Sequence, residues 1–164
     1  KIYHAIRELC NLRNIWIHIV TGAGYRGYYQ LETEIRDEPL VTLTMETGVI
    51  SSIMEKSQLA IVSNGRTIYE LAHMNIPAIV IPQHKREDTH NFACEENGFV
   101  SVGLFENGHT ELAVMKQLTR LLDDETYRHQ LFKRTTRYSF NTNKKKVIKC
   151  ILALLSSDAE GHLN

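Results

Sequence analysis

Short β-branched and apolar runs alternate with stretches of helical periodicity along this chain, and that alternation restricts the fold more than any single motif. Residues 15–21, 41–45, 59–62, 78–81 and 99–104 read as strands. Between and before them, residues 1–12, 27–36, 48–56, 66–74 and 88–97 read as helices. Ile2, Ile6 and Leu9 make one stripe, Tyr28, Leu31 and Ile35 a second, and Ile68, Leu71 and Ala72 a third. Pro39, the pair Pro77 and Pro82, and Gly98 punctuate these elements where a chain must stop or turn. Strands separated by helices are the pattern of a parallel sheet with crossover connections. The expectation is an α/β fold, a Rossmann-like doubly wound parallel sheet.

After Gly108 the pattern turns wholly helical, over residues 110–123, 125–138 and 143–155. The strongest stripe, Val147, Ile148, Ile151, Leu152 and Leu155, lies in this helical C-terminal tail. The tail is expected to pack on the sheet or to reach toward another domain. Lys144, Lys145 and Lys146 open its last helix and read as a solvated face. The 164 residues fit one domain with one core, spanning 1–164. Because Lys1 stands where an initiator Met would be, the chain is expected to be one part of a longer protein.

Nineteen basic and nineteen acidic residues balance, which argues against nucleic acid as a partner. Cys10, Cys94 and Cys150 lie far apart with no CxxC pair, as expected in a reduced, cytoplasmic compartment. No apolar run approaches the roughly 20 residues that span a bilayer, and no signal peptide opens the chain.

In open α/β sheets ligands bind beyond the carboxyl ends of the strands, so the loops there carry the functional reading. The first loop, Thr21 to Gly27, places Gly22, Gly24 and Gly27 in a literal GxGxxG between a strand and a helix. Glu46 ends the next strand, roughly where a dinucleotide fold puts its ribose-binding acid. This supports a nicotinamide- or flavin-binding domain of an oxidoreductase as an alternative. Against it, a helix precedes the strand, and Tyr25 and Arg26 are bulky where pyrophosphate must come close. A glycine turn with no ligand is the plain alternative.

The second loop is Ser63-Asn64-Gly65-Arg66-Thr67, with Glu70 one turn into the following helix. Amides at a helix start favour an anion, Gly65 permits close approach, and Ser63 and Thr67 offer hydroxyls. Glu70 could accept hydrogen bonds from ribose hydroxyls. In the plain reading Ser63 or Asn64 caps the helix and Glu70 is a solvated acid.

A third segment, Pro82 to Asn91, brings Gln83, His84, Glu87 and Asn91 to the same edge, as hydrogen-bonding groups for a sugar or phosphate. His84, Glu87 and His90 invite a metal reading. Their three- and six-residue spacings drift around a helix, unlike an HExxH pair, and no metal is expected. His18, in the first strand, is expected to be packed. No Ser–His–Asp arrangement and no GxSxG elbow is present, so no catalytic residue is assigned.

The order of these segments resembles a family. The block Ser63-Asn64-Gly65-Arg66-Thr67-Ile68-Tyr69-Glu70, then Asn75-Ile76-Pro77-Ala78-Ile79-Val80-Ile81-Pro82, then the Gln/His/Asn loop ending in Asn97-Gly98-Phe99, is similar to the C-terminal domain of GT-B glycosyltransferase-like proteins. Within that group it most resembles UDP-sugar hydrolases of pseudaminic acid synthesis and spore-coat polysaccharide proteins. It is more distantly similar to the N-acetylglucosaminyltransferase that makes lipid II. The likeness covers roughly residues 14–152 and is sharpest over 59–104.

The resemblance implies a nucleotide-sugar partner, UDP-linked, with no cofactor. It implies that Ser63, Gly65 and Thr67 take the diphosphate, Glu70 the ribose, and Met45 to Val49 the uracil. Gln83, His84 and Asn91 would meet the sugar and diphosphate, and Gly22 and Gly24 would lie at the cleft between two domains. The chain departs from the pattern at Asn64 and Asn75, where glycine is common, and adds Arg66 as a cation. Asp88-Thr89-His90 replaces a family Gln. In the hydrolase branch the catalytic base belongs to an N-terminal domain, so this chain is expected to be inactive alone. Glycosyl transfer, hydrolysis and 2-epimerisation all fit this half, and a non-catalytic interaction module is a further alternative.

Overall fold

The computed structural model describes residues 1–45, 48, 50–138 and 143–160. Helix α1 (Ile2–Leu12) leads into β1 (Ile17–Thr21), α2 (Tyr28–Ile35), β2 (Val41–Met45) and α3 (Ile50–Met54). Strand β3 (Ala60–Val62), α4 (Thr67–His73), β4 (Ala78–Val80), the short α5 (Lys85–Asp88) and β5 (Phe99–Ser101) follow. Helices α6 (His109–Asp123), α7 (Glu125–Thr135) and α8 (Asn143–Glu160) close the sequence of elements. The fold is α/β with every strand pair parallel.

The strands form two small sheets, β1-β2 and β3-β4-β5. In the first, Ile17 sits opposite Val41 and Thr21 opposite Met45; in the second, Ala60, Ala78 and Phe99 share one row. A shared core joins the sheets. Ile17 of β1 and Ile61 of β3 pack against the same cluster of Ile6, Cys10, Ile79, Ile81, Val114, Leu118 and Leu131.

Strand β4 shows why the sheet is covered on both faces. Ile79 and Ile81 enter that first cluster, whereas Ala78 and Val80 enter a second with Ile68, Leu71, Ala72 and Phe99. Successive side chains of a strand point to opposite faces, so α1, α6 and α7 cover one face and α4 the other. All three β4 residues are buried. The β1-β2 pair is less enclosed, with α2 contributing Leu31 and Ile35 over Ile17, Ile19, Val41 and Leu43.

Three expectations are corrected. Residues 88–97 do not form one helix: α5 ends at Asp88, and a 3-10 turn covers Glu95–Asn97. Between them, the His90 carbonyl accepts from Asn64 of another loop and the Phe92 carbonyl from Asn97. Strand β5 stops at Ser101, short of residue 104, and Gly103 at φ 81° turns the chain. His18 is exposed, not packed, and pairs across the strands with Thr44 Oγ1 at 2.7 Å.

Gly98 is the residue the fold most needs to be glycine. Its φ is 87°, and an added Cβ would lie 2.4 Å from Thr135 Cγ2 and 2.7 Å from the Leu131 carbonyl oxygen. The turn is tied to α7 by Tyr127, whose hydroxyl donates to Glu95 at 2.8 Å, and by Arg134, which donates to the Glu95 carbonyl at 3.0 Å. Burial, then that hydrogen bond, pushes the Tyr127 phenol up to about 12.

In α8, Val147, Ile148, Ile151 and Leu152 are exposed, as are Lys145 and Lys146. These four members of the stripe are absent from the core clusters; the side chain of the fifth, Leu155, lies outside what is described. No helix among those residues is long and apolar enough to cross a membrane.

Candidate functional site

Strand β3 delivers Ser63, Asn64, Gly65 and Arg66 to the carboxyl edge of its sheet, and β4 delivers the segment from Gln83 to Asn91 beside it. The two are locked together. Asn64 is 3% exposed and its Nδ2 donates to the Glu87 carbonyl at 2.7 Å and to the His90 carbonyl at 3.2 Å. In return, His90 Nδ1 donates to the Asn64 carbonyl at 3.0 Å. Residues 64 and 90 thus exchange two hydrogen bonds across the gap between loops. One of these bonds satisfies the His90 carbonyl, which lies just beyond α5 in backbone without regular structure.

The clasp changes the expected role of Asn64. Neither it nor Ser63 caps α4, which has no side-chain cap at all. Its side chain is a buried tie between loops, with Oδ1 left unpartnered. Because α4 has only seven residues, its start offers a short dipole and is no anion site by itself. What the loop has instead is rigidity: Ser63, Gly65 and Thr67 stand half-buried around a fixed backbone, with Arg66 and Glu70 exposed.

In the third segment, Glu87 Oε2 accepts from the Gln83 amide at 2.8 Å, which closes the first turn of α5. Gln83 Nε2 donates to the Ile81 carbonyl at 3.1 Å. His84 flanks α5 in extended backbone, and His84 and Asn91 are exposed. Glu87 and His90 are therefore engaged in holding backbone. Among the described residues, no three His, Cys, Asp or Glu side chains are grouped to hold a metal ion.

Glu70 meets the β2–α3 segment. Together with Gly48, Ile50, Ser51, His73 and Met74 it lines a hollow of about 300 Å³. Val49 and Glu46 lie outside the described residues; Met45 is exposed at the end of β2, opposite Thr21. A somewhat larger hollow of about 360 Å³, lined by residues such as Met54, Gln58, Asn75 and Phe132, lies at the amino ends of β3 and β4. No residue of the clasp lines it.

No family model matches the chain, and neither does any curated protein.

The first glycine loop stands apart. Gly22 and Gly24 are exposed, and among the described residues a Cβ added to either would meet no atom within 4 Å. A single turn bond, Tyr25 amide to Gly22 carbonyl at 3.0 Å, orders it. Among the described residues no hydrogen bond ties this loop to the clasp. The structure thus joins 63–67 with 83–91, and Glu70 with Gly48, but leaves Gly22 and Gly24 separate.

Two residues were absent from the sequence-based site. His90, in sequence a metal lead and part of the segment that replaces a family Gln, forms half of the clasp. Tyr69, 47% exposed, lays its ring against Phe92 at 4.8 Å between centroids. Phe92 in turn contacts Phe99, which is fully buried, so the aromatic stack runs from the core to the rim. A polar pair on two different post-strand loops was the available signal for His90. Sequence alone cannot show that such a pair meets.

Proposed function

We propose that the chain is the nucleotide-sugar-binding half of a GT-B-like glycosyltransferase or UDP-sugar hydrolase in surface-polysaccharide or nonulosonic-acid synthesis. The supporting observation is the clasp of Asn64 with His90 and Glu87, which fixes two polar loops side by side at the carboxyl edge of a parallel sheet. That edge is where such sheets take ligands. The hollow shared by Glu70 and Gly48 adjoins it on α4, suited in reach to a ribose and base.

In this reading the diphosphate lies against Ser63, Gly65 and Thr67, with Arg66 as counter-charge, and Glu70 accepts from the ribose hydroxyls. Fixed donors and a cation there would stabilise charge developing on the departing diphosphate. The attacking water or acceptor comes from a partner domain, so the chain alone binds without turnover. A cytoplasmic setting accords with three free thiols, Cys10, Cys94 and Cys150.

Calorimetric titration with UDP, UDP-N-acetylglucosamine, CDP and NADH tests the reading. Uridine nucleotides should bind, and Glu70→Ala should weaken them about tenfold while leaving the fold unchanged, because Glu70 is exposed. Binding of NADH alone, indifferent to Glu70, would move function to the Gly22 loop and to oxidoreductase chemistry.

A further inference from the structure

The hydrogen bond from His90 to Asn64 fixes more than the loops. A carbonyl oxygen only accepts, so Nδ1 of His90 must carry the proton in that bond. A neutral imidazole has one N–H, and with Nδ1 so committed its Nε2 is left as an acceptor. His90 is exposed, and among the described residues no hydrogen bond engages Nε2, which leaves it able to accept from a group at the rim. A neutral Nε2 repels phosphate oxygens and takes O–H or N–H groups. The matching ligand part is a polyhydroxylated one.

The neighbouring surface points the same way. Two residues beyond His90, Phe92 supports the half-exposed ring of Tyr69, and Phe92 is backed by Phe99 and Tyr138. A held aromatic face with an open side suits the C–H face of a pyranose.

We infer that His90 and Tyr69 form the sugar subsite of the proposed nucleotide-sugar site, with Nε2 of His90 accepting from a sugar hydroxyl or acetamido N–H and Tyr69 supporting the ring's apolar face. This rests on the nucleotide-sugar reading above. It assigns to His90 a positioning contact through a defined tautomer, distinct from metal ligation and from proton transfer.

Two substitutions at His90 separate its halves. His90→Asn keeps an N–H near the Nδ1 position for the Asn64 carbonyl and deletes Nε2. His90→Gln places a polar atom near the Nε2 position. Titrations of the full chain at about pH 8, above the ordinary histidine range, would compare UDP with UDP-N-acetylglucosamine and UDP-glucose. His90→Asn and Tyr69→Ala should each lose about tenfold in affinity for a UDP-sugar while UDP is unchanged. His90→Gln and Tyr69→Phe should keep most of the sugar contribution. Nitrogen-15 spectra of the native ring should show Nδ1 protonated and Nε2 bare, with Nε2 moving when the UDP-sugar is added.

If the native chain binds no uridine nucleotide, the functional reading fails and the subsite with it. If UDP-sugars bind and His90→Asn changes nothing, or weakens UDP equally, the subsite alone is overturned. An Nε2-protonated ring in the native spectrum overturns it as well.

Discussion

At the end of β1, Gly22 and Gly24 lie exposed in a loop with a turn bond from the Tyr25 amide to the Gly22 carbonyl, and among the described residues nothing stands where their side chains would go. At the ends of β3 and β4, the corresponding loops are bound to each other through Asn64 and His90, and Asn64 is buried. Their strands differ in the same sense. β4 is buried throughout, whereas β1 and β2 are mostly half-buried, with His18, Thr42 and Met45 exposed and only Thr21 buried. One half of the carboxyl edge has its loops bonded to each other by side chains; the other, among the described residues, does not. A rigid, self-satisfied loop pair can bind without reorganising, which preserves affinity. Among the described residues the glycine loop has no such cross-loop bond.

The strongest way to sharpen this contrast is at Gly98, which closes the tight half by entering β5. Gly98→Ala must hold a positive φ and push its Cβ into the Leu131 carbonyl and Thr135. A cost of roughly 3–4 kcal/mol is expected, read as a shifted midpoint in urea unfolding. A change below about 1 kcal/mol would show that the β5–α7 junction yields readily, and the contrast between halves would lose its main support.

A middle-sized effect is expected at Asn64. Asn64→Ala removes two donated hydrogen bonds, leaving the His90 carbonyl short of a partner while Glu87 keeps the His90 amide at 3.0 Å. The unpartnered Oδ1 disappears with it, which offsets part of the loss. The net cost should be about 1–3 kcal/mol. Amide exchange should accelerate over residues 83–91 more than over β1 and β2. Uniform acceleration would mean that Asn64 supports the whole domain and is no local clasp.

The legible part of this chain was its rhythm. Alternating apolar runs and helical stripes located β1 through β5 and α1 through α4 to within a few residues, because burial periodicity is written directly into the sequence. The stretch after Asp88 was not legible. The helix expected over 88–97 breaks at Asp88, where Asn64 reaches across from another loop to the Glu87 and His90 carbonyls, a long-range fact with no local signal. The site was legible as loops and illegible as contacts. Asn64 read as a cap and His90 as a metal lead, and only the parallel register of β3 and β4 brings them together. His18 failed for a related reason: alternation gives two faces to a strand, and which face is covered depends on helices elsewhere.

The smallest effect is expected where the two halves differ most. Neither Gly22 nor Gly24 has a positive φ, and each has open space at its Cβ position. Replacing both with Ala should leave stability within about 0.5 kcal/mol, or raise it slightly by restricting the unfolded chain. Uridine-nucleotide affinity of this chain should also persist, since the clasped loops and Glu70 are untouched. Gly65→Ala is the matched control: its added Cβ would approach Ser63 Oγ at an ordinary 3.6 Å, so folding should survive. Because the diphosphate is proposed to lie against Gly65, nucleotide affinity should fall about tenfold. If the Gly22/Gly24 pair abolishes nucleotide binding and Gly65→Ala does not, the two halves exchange roles. The loosely held glycine loop would then be the binding element, and the clasp only a means of holding β3 and β4 together.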